Sequence, residues 1–143
     1  MIYSDGGARG NPGPAAIGFV ILSDKGQILM TKSRYVGSRT NNQAEYAALI
    51  AALESAAALQ AEEVICHLDS QLVVKQLIRE YKVKNSELRK LWMQVQELRK
   101  RFKKTSFKNV PRTNIQIQKA DALVNKALDE EISQHHSCNS VKL

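Results

Sequence analysis

Around Asn41 the apolar residues change their spacing, and this change restricts the fold more than any other feature of the chain. Before it, residues 1–4, 17–22 and 27–36 read as extended segments, the last two flanking the turn D-K-G, so hairpin-connected strands are expected. After it, Tyr46, Leu49, Ile50, Leu53 and Ala57 share one helical face, with alanine filling much of the rest. That pattern predicts a long, closely packed helix beginning at Asn41 or Asn42. Glu63–Leu68 is a short apolar strand suited to burial inside a sheet, and Ser70 is placed to cap a helix running through Leu72, Val73, Leu77 and Ile78. Asn85 or Ser86 caps a further helix marked by Leu88, Leu91, Trp92, Val95, Leu98 and Phe102. Residues 105–110 read as a last strand, and Ala120, Leu123, Val124, Ala127, Leu128 and Ile132 mark a last helix. The order β-β-β-α-β-α-α-β-α is that of an α/β fold. It implies a five-stranded mixed sheet with an antiparallel side, a parallel side and helices on both faces.

At 143 residues and 43% hydrophobic composition, one core is expected, without need of disulfides. Lys and Arg outnumber Asp and Glu by 21 to 14, and the formal charge of +7 favours an anionic partner such as nucleic acid. The longest apolar run, A-A-L-I-A-A-L-E-S-A-A-A-L, is interrupted by Glu54 and is too short to cross a bilayer. Cys66 and Cys138 lack metal-ligand spacing and no signal peptide is read, so a cytoplasmic location is expected. Residues 1–132 form the expected domain; 133–143 lack periodicity and are expected to be a poorly ordered tail.

Four acids stand at predicted strand ends or helix starts: Asp5 ending the first strand, Glu45 in the first helix, Asp69 after the apolar strand, and Asp121 at the start of the last helix. Each has a plain structural role open to it, as a turn residue, a helix N-terminal charge or a cap. Strand ends in a mixed sheet converge on one crevice, so these four can also meet. Converged carboxylates call for a compensating divalent cation.

The segments D-G-G-A-R-G-N-P-G-P-A-A-I-G, T-N-N-Q-A-E-Y-A-A-L-I-A-A-L, L-D-S-Q-L-V-V-K-Q-L and V-P-R followed by A-D-A-L-V-N-K-A-L, in this order, resemble the four signature segments of type 1 ribonuclease H. Y-K-V-K-N resembles the compact prokaryotic and archaeal members, and the likeness runs from Met1 to about Glu131. The resemblance implies that Asp5, Glu45, Asp69 and Asp121 are catalytic carboxylates binding two magnesium ions, with manganese as a substitute. The implied reaction is endonucleolytic hydrolysis of the RNA strand of RNA/DNA hybrids, leaving 5′-phosphate and 3′-hydroxyl ends.

The same resemblance assigns the glycine-proline segment, with Gly6, Arg9 and Asn11, to contact with the RNA strand, since its glycines admit a close phosphate backbone. Asn41, Asn42 and Gln43 are expected to cap the helix, to read the hybrid's minor groove, or both, and Glu45 to meet a 2′-hydroxyl. Ser70 is a weaker contact candidate that serves equally as a cap. Lys82 and Lys84 are assigned to the substrate within a basic set that also holds Arg99, Lys100, Arg101, Lys103, Lys104 and Lys108. Many family members carry a histidine upstream of the fourth carboxylate, where this chain offers Arg112. His67 and Trp92 are assigned to packing rather than chemistry. The expected partner is an RNA/DNA hybrid, with double-stranded RNA as a further substrate class, and the chain is expected to act as a monomer. Two other readings are a hybrid or double-stranded RNA binding module that has lost catalysis, and another nuclease of the same fold.

Overall fold

The computed structural model describes residues 1–141, with side chains described through Ser133. The elements follow the predicted order: β1 (Ile2–Ala8), β2 (Gly13–Leu22), β3 (Ile28–Arg39), α1 (Asn41–Ala58), β4 (Glu63–Leu68), α2 (Gln71–Leu77), α3 (Ser86–Arg99), β5 (Lys104–Asn109) and α4 (Ile115–Val141). The five-stranded sheet runs β3-β2-β1-β4-β5. β1 pairs antiparallel with β2 and parallel with β4, so the antiparallel and parallel halves meet on it.

Side-chain alternation sorts the two faces. Ile2, Ile17, Phe19 and Ile21 point into the main core with Tyr46, Leu49 and Leu53 of α1, and α2 and α3 pack on this same side. Each fully buried large apolar side chain there contributes roughly 1.5–3 kcal/mol. Ala16 points the other way, into a smaller cluster with Val124, Ala127 and Leu128 of α4. Ser33 of β3 fastens that helix by donating to the Leu123 carbonyl.

Three local expectations are corrected. The first strand does not stop at residue 4: Gly6, Gly7 and Ala8 stay in the ladder opposite Ile17, Ala16 and Ala15. Asp5 therefore sits within β1, not at its end. The glycine-rich stretch is mostly strand because its missing side chains admit helices, as shown below. Similarly, α4 begins at Ile115, so Asp121 lies in its second turn and not at its start. Asn114 ends the preceding loop, its Oδ1 accepting from the N–H groups of Gln116 and Ile117 at 2.9 and 3.1 Å. Finally, α4 continues to Val141, across most of the segment read as an aperiodic tail. The side chains of residues 134–143, with His135, His136 and Cys138, lie outside those described. No described helix is long and apolar enough to cross a membrane.

Candidate active site

The pairing of β1 with β4 is brief, with only Ile2↔Cys66 and Tyr3↔His67 as partners. Extending that register by two residues sets Asp5 beside Asp69, which follows Leu68 at the end of β4. Two carboxylates thus share the place where neighbouring strands separate.

Two glycines bring helices to this point from opposite faces. A Cβ on Gly6 would lie 2.1 Å from the Ala44 carbonyl oxygen, so α1 rests directly on the β1 backbone. The Gly6 N–H donates to Glu45 Oε1 at 2.9 Å, fixing the glutamate at the cleft. Gly18 is the register partner of Asp5 on β2, and a Cβ there would lie 2.3 Å from the Ala120 carbonyl oxygen. This close approach of α4 brings Asp121 up to Asp5.

The carboxylate oxygens of Asp5, Glu45 and Asp69 lie within 4.8 Å of one another. Asp5 is only 8% exposed and Glu45 only 6%. Burial pushes the Asp5 carboxyl up to about 6, with the charges of Asp69 and Asp121 adding to the rise. Burial, and then contact with Asp5, holds Glu45 well above the usual carboxylate range. Glu45 Oε2 is buried with no donor among the described residues, so the Asp5–Glu45 contact becomes a hydrogen bond only when the pair holds a proton. The nearby cation is Arg112, 90% exposed, whose Nε reaches Asp69 Oδ2 at a long 3.4 Å. Asp121 is exposed, with Asn125 Nδ2 at 3.4 Å from its Oδ2.

A cluster of buried oxygen acceptors, one of them lacking any donor, fits a hard divalent cation. Asp5, Glu45 and Asp69 are the residues that could hold it, and Asp121 stands beside them. Such an ion would replace the proton that burial now favours.

The other residues singled out in the sequence fall into two groups. Asn11 and Asn41 join the glycine loop to the start of α1: the Asn41 N–H donates to Asn11 Oδ1 at 3.0 Å, and the Ala8 N–H donates to Asn41 Oδ1 at 2.9 Å. Asn42 is half-buried beside them. Arg9 Nη2 reaches Asp129 Oδ1 on α4 at 2.6 Å, tying the loop to the last helix. The cap of α1 is Thr40 rather than either asparagine, and Gln43 completes a reciprocal box with it. The spacing T-N-N-Q carried that signal, which sequence reading passed over. Ser70 caps α2 by accepting from the Val73 N–H at 3.3 Å.

Lys82 and Lys84 lie away from the carboxylates, on a groove they share with Arg79, Arg89 and Trp92. Trp92 Nε1 donates to the Gln76 carbonyl at 3.1 Å while its ring packs on the core. His67 is buried and stacked on Tyr3 at 4.2 Å, with Nδ1 2.9 Å from the Ile2 carbonyl oxygen. Burial lowers its pKa, in keeping with a neutral packing residue.

The chain is similar to several known proteins. A family profile described as "Reverse transcriptase-like" matches residues 3–127. Ribonuclease HI of Halobacterium salinarum is 46% identical over 129 residues, covering 90% of this chain. The crystal structure of RNase H1 from that archaeon superposes with a TM-score of 0.87 at 45% identity, covering 90% of this chain and 96% of that one. An RNase H1 isolated from compost, LC11-RNase H1, solved in complex with an RNA/DNA hybrid, gives a TM-score of 0.87 at 42% identity, covering 92% and 97%. The chain spans 63% of the length of the halobacterial relative, and 35% of a bifunctional Mycobacterium tuberculosis protein to which it is 42% identical.

Proposed function

Because the chain belongs to the type 1 ribonuclease H family, we propose that it is a metal-dependent endoribonuclease hydrolysing the RNA strand of RNA/DNA hybrids. The observation that carries this reading is the meeting of Asp5, Glu45 and Asp69 within 4.8 Å, with Asp5 and Glu45 buried and Glu45 Oε2 without a donor among the described residues. A carboxylate cluster this costly in a protein of charge +7 makes chemical sense as a cation site. When bound, a pair of magnesium ions, with manganese as a substitute, would supply the charge that activates water and stabilises the leaving oxygen.

The chain's own residues do the rest. Asp5, Glu45 and Asp69 hold the site, and Asp121, carried on α4, completes it. Gly6, Asn11, Asn41, Asn42 and Gln43 line the junction of loop and helix where a sugar-phosphate strand passes, with Arg9 beside them. Glu45 meets a 2′-hydroxyl at its inner edge, which selects RNA as the strand cut. Ser70 borders Asp69, and Arg112 balances the charge of Asp69 from solvent. Lys82 and Lys84 meet phosphates beyond α2, making affinity strongly dependent on salt. The products carry 5′-phosphate and 3′-hydroxyl ends. Residues 1–132 act as one catalytic domain, monomeric and cytoplasmic, with double-stranded RNA as a second substrate class.

The test is incubation of an end-labelled hybrid with and without magnesium, beside matched DNA and RNA duplexes. Magnesium-dependent cutting of the hybrid's RNA strand is expected. Binding without product would favour the module that has lost catalysis, and cutting of duplex DNA would favour a different nuclease.

A further inference from the structure

Asp121, Asn125 and Asp129 are exposed and follow one another at four-residue spacing, so they form one ridge of α4. Asp121 stands at the acidic cluster, and Asp129 lies roughly 12 Å further along the helix. β1 leaves the same point: Arg9, just past its end, lies four residues beyond Asp5, or roughly 13 Å of extended chain. The two elements are joined again there, with Arg9 Nη2 at 2.6 Å from Asp129 Oδ1. The pair closes the far end of a frame that begins at the carboxylates.

The backbone around Arg9 is fixed without this pair. The Arg9 N–H donates to the Pro14 carbonyl at 2.8 Å, the Ala8 N–H donates to Asn41 Oδ1 at 2.9 Å, and a Cβ on Gly13 would lie 2.2 Å from the Arg9 carbonyl oxygen. The long side chain has less support: among the described residues, Asp129 is the partner of its guanidinium. One contact at Nη2 leaves most of its N–H donors open. With the two side chains 40% and 67% exposed, the pair adds little to stability. An acid beside the path of a polyanion also opposes binding in a chain of charge +7. Against both stands one gain. Asp129 orders a flexible side chain before the substrate arrives, so binding does not have to order it.

We propose that Asp129 is a positioning residue for the RNA strand: it holds the Arg9 guanidinium so that the open donors meet a phosphodiester of that strand, a few nucleotides from the bond cut. This role rests on the hybrid-cleaving reading above and adds to it what orients Arg9. Asp129 itself touches neither the strand nor the reacting atoms.

The test uses the full chain, with KM and kcat for hybrid cleavage measured in magnesium and hybrid affinity measured by fluorescence anisotropy in chelator. Asp129→Ala should raise KM and weaken binding roughly threefold to tenfold, with kcat within about twofold of the wild type. Arg9→Ala should weaken binding at least as much, and the double variant no further than Arg9→Ala alone. Asp129→Glu should restore part of the loss. Glu130→Gln removes the same charge from the neighbouring exposed position and should leave KM unchanged or slightly lower. The sign discriminates, because loss of a negative charge by itself strengthens anion binding, whereas loss of positioning weakens it. Alanine is the better helix former, so Asp129→Ala should melt no earlier than the wild type. The proposal is overturned if Asp129→Ala leaves KM and affinity unchanged or improves them, or if the Asp129→Ala and Arg9→Ala losses add. If the wild type binds the hybrid without cutting it, the ribonuclease reading alone falls, and the ranking of affinities upholds or overturns the role of Asp129. A wild type that neither binds nor cuts overturns both.

Discussion

Glu45 and Tyr46 are neighbours on α1, both buried, and they meet opposite fates. The Tyr46 hydroxyl donates to Gln76 Oε1 at 2.7 Å, inside a core where the groups satisfy one another. Glu45 faces Asp5, with Asp69 close by, and keeps an acceptor that no described residue fills. One helix thus carries a resolved polar contact and an unresolved one side by side. Tyr46 serves the fold, whereas Glu45 holds an electrostatic conflict that a cation would relieve.

The sharpest way to break this contrast is to remove the conflict. Asp5→Asn or Asp69→Asn should cut hybrid cleavage by roughly a thousandfold or more while the hybrid still binds, as gel shift and cleavage assays would show together. Near-normal cleavage in either variant would count against the carboxylate centre.

The same Asp5→Asn change should stabilise the metal-free protein. Its carboxyl is raised from 3.8 to about 6 on folding, so the native state binds more protons across that window. The stability tied to this group is therefore present at low pH and is lost as pH rises through about 6. Thermal melts in chelator at pH 7 should show the variant more stable, by up to roughly 3 kcal/mol. Against pH, the advantage should fade below about 5, whereas His67, with its lowered pKa, destabilises both proteins alike in acid. Added magnesium should shrink the advantage by stabilising only the wild type.

Tyr46→Phe tests the other side of the comparison. It strands the buried Gln76 Oε1 and should cost roughly 1–3 kcal/mol in urea unfolding, with little change in cleavage under folding conditions. The smallest effect is expected from Thr40→Ala, which removes the cap of the helix carrying both residues. A loss of about 1 kcal/mol is expected.

The contrast also explains what was legible in the sequence. The element order and the convergence of Asp5, Glu45 and Asp69 could be read, because helical and strand periods and quoted motifs are local signals. The work of the glycines was read only in part. Gly6 and Gly18 stand where α1 and α4 press on the sheet from opposite faces, and only tertiary contact reveals which helix a missing Cβ admits. The same limit hid the pairing of Arg9 with Asp129, which lie 120 residues apart. Asp121 was misplaced for a different reason. The start of α4 is set by Asn114, six residues before Ala120, while the apolar marks of that helix were counted from Ala120 onward.

The most direct measurement is anomalous diffraction from crystals grown with manganese and an uncleavable hybrid. The account predicts strong peaks bounded by Asp5, Glu45, Asp69 and Asp121. An empty carboxylate cluster, with manganese bound instead at His135 and His136 or nowhere, would contradict it.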